Sequence, residues 1–214
     1  MSSARHADIT TALGLDPEVV AGRAHWWLRD AEPARHRAAV ELGLTEVRRV
    51  CQLRRPLPAP EPPPITTRTF RRGVDEVAWL TVNASAFADH PDQGACTRAD
   101  LEERLDAAWF DAEGFLLHDG GPGAIDAFCW TKVHAETTPP MGEIFVIGVD
   151  PASHGRGLGR AMTLAGLADL HDRRGMDLAM LYVESDNAPA RALYDSLGFT
   201  HHHDDVAYDL VDGR

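Results

Sequence analysis

Lysine is almost missing from this chain. Arginine supplies 20 of the 21 basic residues, and Lys132 stands alone. Two readings stay open: a nucleotide-composition bias that spared one codon, or a compact ammonium at position 132 doing what a planar guanidinium cannot. Cysteine is scarce too. Cys51, Cys96 and Cys129 are odd in number and lack CxxC spacing, which argues against a disulfide frame and suits reduced thiols in a cytoplasm. No apolar run approaches the ~20 residues of a membrane span, and the opening MSSARHADITTALGLDPE carries no apolar export segment. A cytoplasmic protein with no membrane partner is expected. Positive charge is also short: 21 basic against 33 acidic residues give a formal net charge of −12. Such a field disfavours nucleic acid, whose binding rests on many phosphate contacts, and better suits a cationic small molecule.

The 214 residues, 44% hydrophobic and 25% charged, fit a soluble globular protein of one domain, or one domain plus part of another. PLPAPEPPP at 56–64 holds six prolines in nine positions. It is expected to be an extended spacer of ~28 Å, at ~3.1 Å per residue. It divides a short segment, 1–55, from a full-sized domain, 65–214.

After the spacer, ITTRTF alternates like a strand, and DEVAWLTVNASAFA and TRADLEERLDAAWF carry helical spacing, with Thr97 as N-cap facing Asp100. GFLLHD, AIDAFCWTKVHA and GEIFVIGVD read as successive strands between Gly/Pro-rich turns. GLGRAMTLAGLADLHDRR is a helix closed by Gly175, LAMLYVES a strand, NAPARALYDSLG a helix closed by Gly198, and FTHHHDDVAYDLV one or two last strands. Strands that meander first and alternate with helices later imply an α/β fold with a mixed sheet.

The short segment echoes the end of the chain. HWWLRDAEPARHRAAVELGLTEVRRVCQL and MLYVESDNAPARALYDSLGFTHHHDDVAYDL both run strand, helix, Leu-Gly, strand, and both carry Pro-Ala-Arg. A spacing of about 155 residues suggests a duplicated domain, of which only the closing third of the first copy is present. About 55 residues do not bury a comfortable core alone, so this remnant is expected to dock on the second domain, or the chain is a shortened form of a longer protein.

Between these elements, VDPASHGRGLGRAMT puts glycines at 155, 157 and 159, after a strand and before a helix. A P-loop needs Gly-Lys-Ser/Thr, which is absent. A dinucleotide fingerprint fails at its third glycine, where Met162 stands. A strand-to-helix loop whose backbone N–H groups grip a pyrophosphate fits best, with Arg156 and Arg160 as countercharge.

This stretch resembles the acetyl-CoA motif of the GNAT N-acetyltransferases, Gln/Arg-x-x-Gly-x-Gly/Ala. Gly157 and Gly159 take the two small positions, and His154 stands where Gln or Arg is usual. VNASAFADHPDQGACT, AWFDAEGFLL, FCWTKVH, GEIFVIGVDP and LYVESDNAPARALYDSLGF are similar to the C-terminal half of the mycothiol synthases, tandem pairs of such domains. The likeness covers roughly 65–210, and ARHRAAVELGLTEVRRVCQLRRPL resembles the end of their N-terminal half. The resemblance implies the GNAT fold with a partial N-terminal GNAT remnant, acetyl-CoA as acetyl donor, no metal, and a small-molecule primary amine as partner, in a monomer or homodimer.

Site roles follow from the same likeness. Glu143, opening the strand before the loop, becomes the general base, working through a water. Tyr194 becomes the general acid to the CoA sulfur. Ile147, Gly148 and Val149 would pair with the pantetheine arm. His154, Gly155, Arg156, Gly157, Leu158, Gly159 and Arg160 would hold the pyrophosphate. Asn187, Ala188, Pro189, Ala190, Arg191 and Ala192 would flank the arm. Asp92, Lys132, Glu143 and Tyr182 would contact the acceptor, a cysteinyl amide of a glucosaminyl-inositol; another small amine, or an inactive CoA-binding module, are the alternatives. In HHHDD only His201 and His203 share a strand face, too few ligands for a metal. His90 and His134 receive no role.

Overall fold

A computed structural model describes residues 13–20, 23–88, 90 and 93–210. The chain forms two compact units. The first holds the described residues through Leu53 together with Tyr182–Ala192 and those from Thr200 onward; the second holds Arg54–Leu181 and Leu193–Phe199.

In the first unit, strands β1 (Asp16–Val20), β2 (Arg23–Leu28), β3 (Leu44–Pro56, to Leu53 here) and β9 (Thr200–Leu210) lie in the order β1-β2-β9-β3, with helix α1 (Pro33–Glu41) between β2 and β3 in sequence. Pro33 starts α1 where its missing N–H costs nothing. The short segment does not build its core alone. Leu28, Ala39 and Leu44 pack with Val206 and Tyr208 of β9, and the antiparallel register Trp26↔Tyr208 to Leu28↔Val206 stitches β9 beside β2.

In the second unit, β4 (Arg68–Thr69), β5 (Phe115–Gly121), β6 (Ala124–His134) and β7 (Met141–Val149) are antiparallel neighbours, and β8 (Leu178–Glu184, to Leu181 here) joins β7 in parallel. Helices α2 (Glu76–Ala86) and α3 (Arg98–Leu105) precede β5, α4 (Leu158–Ala168) follows β7, and α5 (Ala188–Ser196) follows β8. The expected Thr97 cap is present as a reciprocal box: Thr97 Oγ1 accepts from the Asp100 N–H at 3.2 Å, and Asp100 Oδ2 accepts from the Thr97 N–H at 2.7 Å. The proline-rich stretch bends rather than running straight. Leu57 donates its N–H to the Asp177 carbonyl, and Glu61 pairs with Arg160 at 2.6 Å.

Aromatic residues fill the core between the sheet and α2. Trp79, Phe115, Phe128 and Trp130 are fully buried, with Trp130 stacked on Phe115 at 4.2 Å and edge-on to Trp79 at 6.1 Å. Each such ring removes roughly 150–250 Å² of apolar surface from water, which stabilises by ~4–6 kcal/mol at ~25 cal/mol per Å². This packing also explains Gly148. A Cβ there would stand 2.7 Å from the Phe128 ring and 3.1 Å from Ala86, so close packing with Phe128 and Ala86 excludes any side chain at this point of β7. Gly148→Ala is expected to cost ~1–3 kcal/mol by overpacking, read as a lowered urea midpoint at unchanged slope.

Candidate active site

Strand β7 changes its surroundings halfway along. Its pairing with β6 runs the full length, Ala127↔Val149 to His134↔Met141, but the register slips between Trp130↔Val146 and Thr131↔Ile144, leaving Phe145 as the extra residue of a β-bulge. On the other side, parallel pairing with β8 covers only Gly142↔Ala179, Glu143↔Met180 and Ile144↔Leu181. Among the described residues, Phe145 to Val149 therefore have no strand partner on that side. Ile147, Gly148 and Val149, the expected arm-binding residues, carry this open edge, a backbone ladder ready for an extended ligand.

The open edge leads into the glycine loop. Asp150 caps a short turn by accepting from the Ala152 N–H at 2.8 Å, and Gly155 and Gly157 follow with φ of +78° and +76°. These left-handed angles favour glycine, and a Cβ at either would meet nothing within 4 Å. Conformation, not crowding, selects glycine at both. Gly157 is the N-cap of α4 and offers no side-chain cap, so first-turn N–H groups stay available to an anion. A Cβ at Gly159 would touch Leu193 at an ordinary 3.5 Å.

Asp126, which sequence reasoning missed, anchors this loop. Its buried carboxylate accepts from Arg156 Nη1 at 2.9 Å and faces His118 Nδ1 at 2.5 Å, while its backbone carbonyl takes the Asp150 N–H at 2.8 Å. Arg156 also donates to Ser153 Oγ, and Arg160 to Glu61 and Ser196. Both expected countercharges thus have protein partners, with Arg156 still more than half exposed. His154 Nε2 lies 3.3 Å from the Val149 carbonyl.

Upstream, Glu143 and Lys132 are directly opposed across β7 and β6, and Trp130, Lys132 and His134 share a face by strand alternation. The Lys132 ammonium sits 4.8 Å from the Trp109 ring centre and 5.6 Å from that of Phe145. Among the described residues it has no carboxylate partner, so its charge is held by two aromatic faces. Glu143 is nearly buried and takes a partner unassigned from sequence: His134 Nε2 lies 2.7 Å from Glu143 Oε2, and His134 Nδ1 lies 3.2 Å from Glu136 Oε1. Glu143 chiefly raises the imidazole above its ordinary value, against opposing burial. A raised folded value stabilises in full below the free-imidazole pKa of about 6.5, and that contribution fades as pH climbs through the raised value.

Tyr194, on the part of α5 in this unit, is buried against Phe199 at 5.7 Å, and burial pushes its phenol up. It stays protonated throughout the physiological range.

Two expected groups fall in the first unit. Tyr182 is exposed, with its hydroxyl accepting from Gln52 Nε2 at 2.6 Å. Asn187 starts α5 by accepting from the Ala190 N–H, Arg191 donates to the Ser185 carbonyl, and Ala188, Pro189 and Ala192 are exposed beside them. Asp92 lies outside the described residues. The histidine run shows a further contact: His201 pairs with Asp204 at 2.7 Å, and Cys51 brings its donor atom within 4.8 Å of both. Asp204 also accepts from Arg49 at 2.8 Å, and burial with Asp204 beside it pushes the Cys51 thiol up to about 11. This group is a protonated thiol in a hydrogen-bonded network.

A bulged strand with one open edge thus runs into an uncapped helix through left-handed glycines. The chain belongs to the Acetyltransferase (GNAT) family, whose model matches residues 79–199. It is 52% identical over 186 residues to the mycothiol acetyltransferase of Salinispora arenicola, covering 84% of this chain and 61% of that protein. The same-named protein of Salinispora tropica is 48% identical over 197 residues, covering 89% and 64%. Among solved structures, a GCN5-related N-acetyltransferase from Sphaerobacter thermophilus matches with a TM-score of 0.66 at 27% identity, over 86% of this chain and 58% of its own. The chain thus spans just under two thirds of these curated relatives. Gly157→Ala should leave packing intact yet strain the loop by ~1–2 kcal/mol, and calorimetry with coenzyme A should show at least tenfold weaker binding.

Proposed function

We propose that this chain transfers the acetyl group of acetyl-CoA to a primary amine, the cysteinyl nitrogen of a glucosaminyl-inositol amide. One observation carries the reading: a single strand, β7, presents Glu143, then an open backbone edge at Ile147 to Val149, then the anion-receptive start of α4. The similarity to proteins named mycothiol acetyltransferase supports the acceptor.

Acetyl-CoA supplies an activated acyl carbon in a thioester. The loop N–H groups from Gly155 to Leu158, backed by Arg156 and Arg160, fit its diphosphate, and the open edge of β7 fits its extended arm. An α-amino group has a pKa near ~7.7–8.0, so a modest base suffices to free its lone pair. Glu143 removes that proton and its carboxylate attracts the incoming ammonium. Tyr194 supplies a proton to the departing sulfur; burial keeps its hydroxyl in the neutral, proton-bearing form. Lys132, unpaired by any carboxylate among the described residues, donates to acceptor hydroxyls from its aromatic seat.

Thiol release from acetyl-CoA should be fast with this acceptor and slow with an amine panel; equal rates across the panel would remove the substrate assignment. Coenzyme A binding without any turnover would leave only a binding module. Glu143→Gln is expected to lower kcat ~10²–10⁴-fold with coenzyme A affinity retained. Lys132→Arg should raise KM for the acceptor, and full activity would return the lone lysine to codon bias.

A further inference from the structure

A carboxylate base that takes a proton must hand it on before the next turnover. The structure places an acceptor directly behind Glu143. His134 Nε2 is 2.7 Å from Glu143 Oε2, on the same sheet face, and the ring is nearly enclosed, with 17% of its side chain exposed. Its other nitrogen lies 3.2 Å from Glu136 Oε1, and the Glu136 side chain is 73% exposed. One end of the imidazole thus meets the buried carboxylate and the other meets a solvent-facing one.

We propose that His134 is the proton acceptor behind Glu143: the carboxylate takes a proton from the acceptor ammonium and passes it to His134 Nε2, and the ring releases it to solvent beside Glu136. This rests on the acetyl-transfer reading above. One N–H bond of the ammonium breaks and one Nε2–H bond forms; nothing is oxidised or reduced. The freed lone pair forms the C–N bond, and the C–S bond breaks with its electron pair going to sulfur. The sulfur takes the Tyr194 proton, and the second proton lost from the attacking nitrogen restores Tyr194. The raised pKa of the imidazole brings it nearer to that of the α-ammonium, which is the benefit of an acceptor tuned near the working pH. The charged groups facing the ring are Glu143 on β7, Glu136 after β6, and Lys132 on β6; the carboxylates raise its pKa and Lys132 opposes them. His134 acts through Glu143 and is a positioning and relay residue.

The test combines the pH profile of kcat/KM with an NMR titration of the His134 ring, identified by its downward move in Glu143→Gln. In the native chain the acid limb of the profile should coincide with the His134 titration, above 6.5. His134→Asn keeps a donor to Glu143 but accepts no proton; kcat should fall ~10²-fold with KM changed less than ~3-fold, and the acid limb should leave that pH. A wild-type kcat with an unmoved limb in His134→Asn overturns the relay alone. If that variant does not fold, the native chain decides: a limb away from the His134 titration overturns the relay. No turnover by the native chain overturns the acetyl-transfer reading and the relay with it.

Discussion

Strand β7 is paired on both sides only as far as Ile144. Antiparallel β6 accompanies its whole length, but parallel β8 matches it at three residues, and the bulge at Phe145 marks the point of divergence. A bulge adds one residue to one side of a ladder and increases local twist. Backbone donors and acceptors beyond it need another partner. The open edge, the glycine turn that ends it, and the uncapped start of α4 are consecutive consequences of that lost neighbour. Glu143 sits in the last fully paired stretch, so the proposed base is rigidly held while the binding edge beside it stays available.

The charges around this strand are arranged on the same plan. Asp126 is buried yet carries an arginine, a histidine and a serine within reach, and its own carbonyl holds the start of the loop. A buried carboxylate with that many partners is satisfied rather than costly, and it fixes the loop before any ligand arrives. Lys132 is seated on Trp109 and Phe145, so the bulged residue also helps position the chain's one ammonium. Pre-set groups of this kind lose little freedom on binding.

What was legible in the sequence was local. The strand-loop-helix order, the Thr97–Asp100 cap and the glycine closing α5 all depend on residues a few positions apart, and each stands where the pattern put it, whereas α4 ends at Ala168 and Gly175 follows a π-helical turn over Asp169–Arg173. Gly155 and Gly157 announced themselves because positive φ is a backbone property that few other residues tolerate. What stayed hidden depends on register. His134 and Glu143 are nine residues apart across a hairpin whose register sets Lys132 opposite Glu143, and imidazole meets carboxylate on the diagonal. Asp126 reads as a polar residue in an apolar strand until the loop 30 residues later folds onto it. Composition favours a rod for the proline-rich stretch, but its backbone bends at Leu57, Pro58, Pro60 and Glu61.

The pairing of β2 with β9 has a consequence for how the chain is made. Trp26 meets Tyr208, and Leu28 meets Val206, across nearly the whole polypeptide. During synthesis the early strands emerge long before their neighbour exists, with Leu28 and Trp27 awaiting the part of their cover that Val206, Ala207 and Tyr208 provide. Contacts of such long sequence separation form late because the intervening loop must close first. Strands β4 to β7 and the glycine loop lie between, so most of the second unit is made while the first still awaits β9.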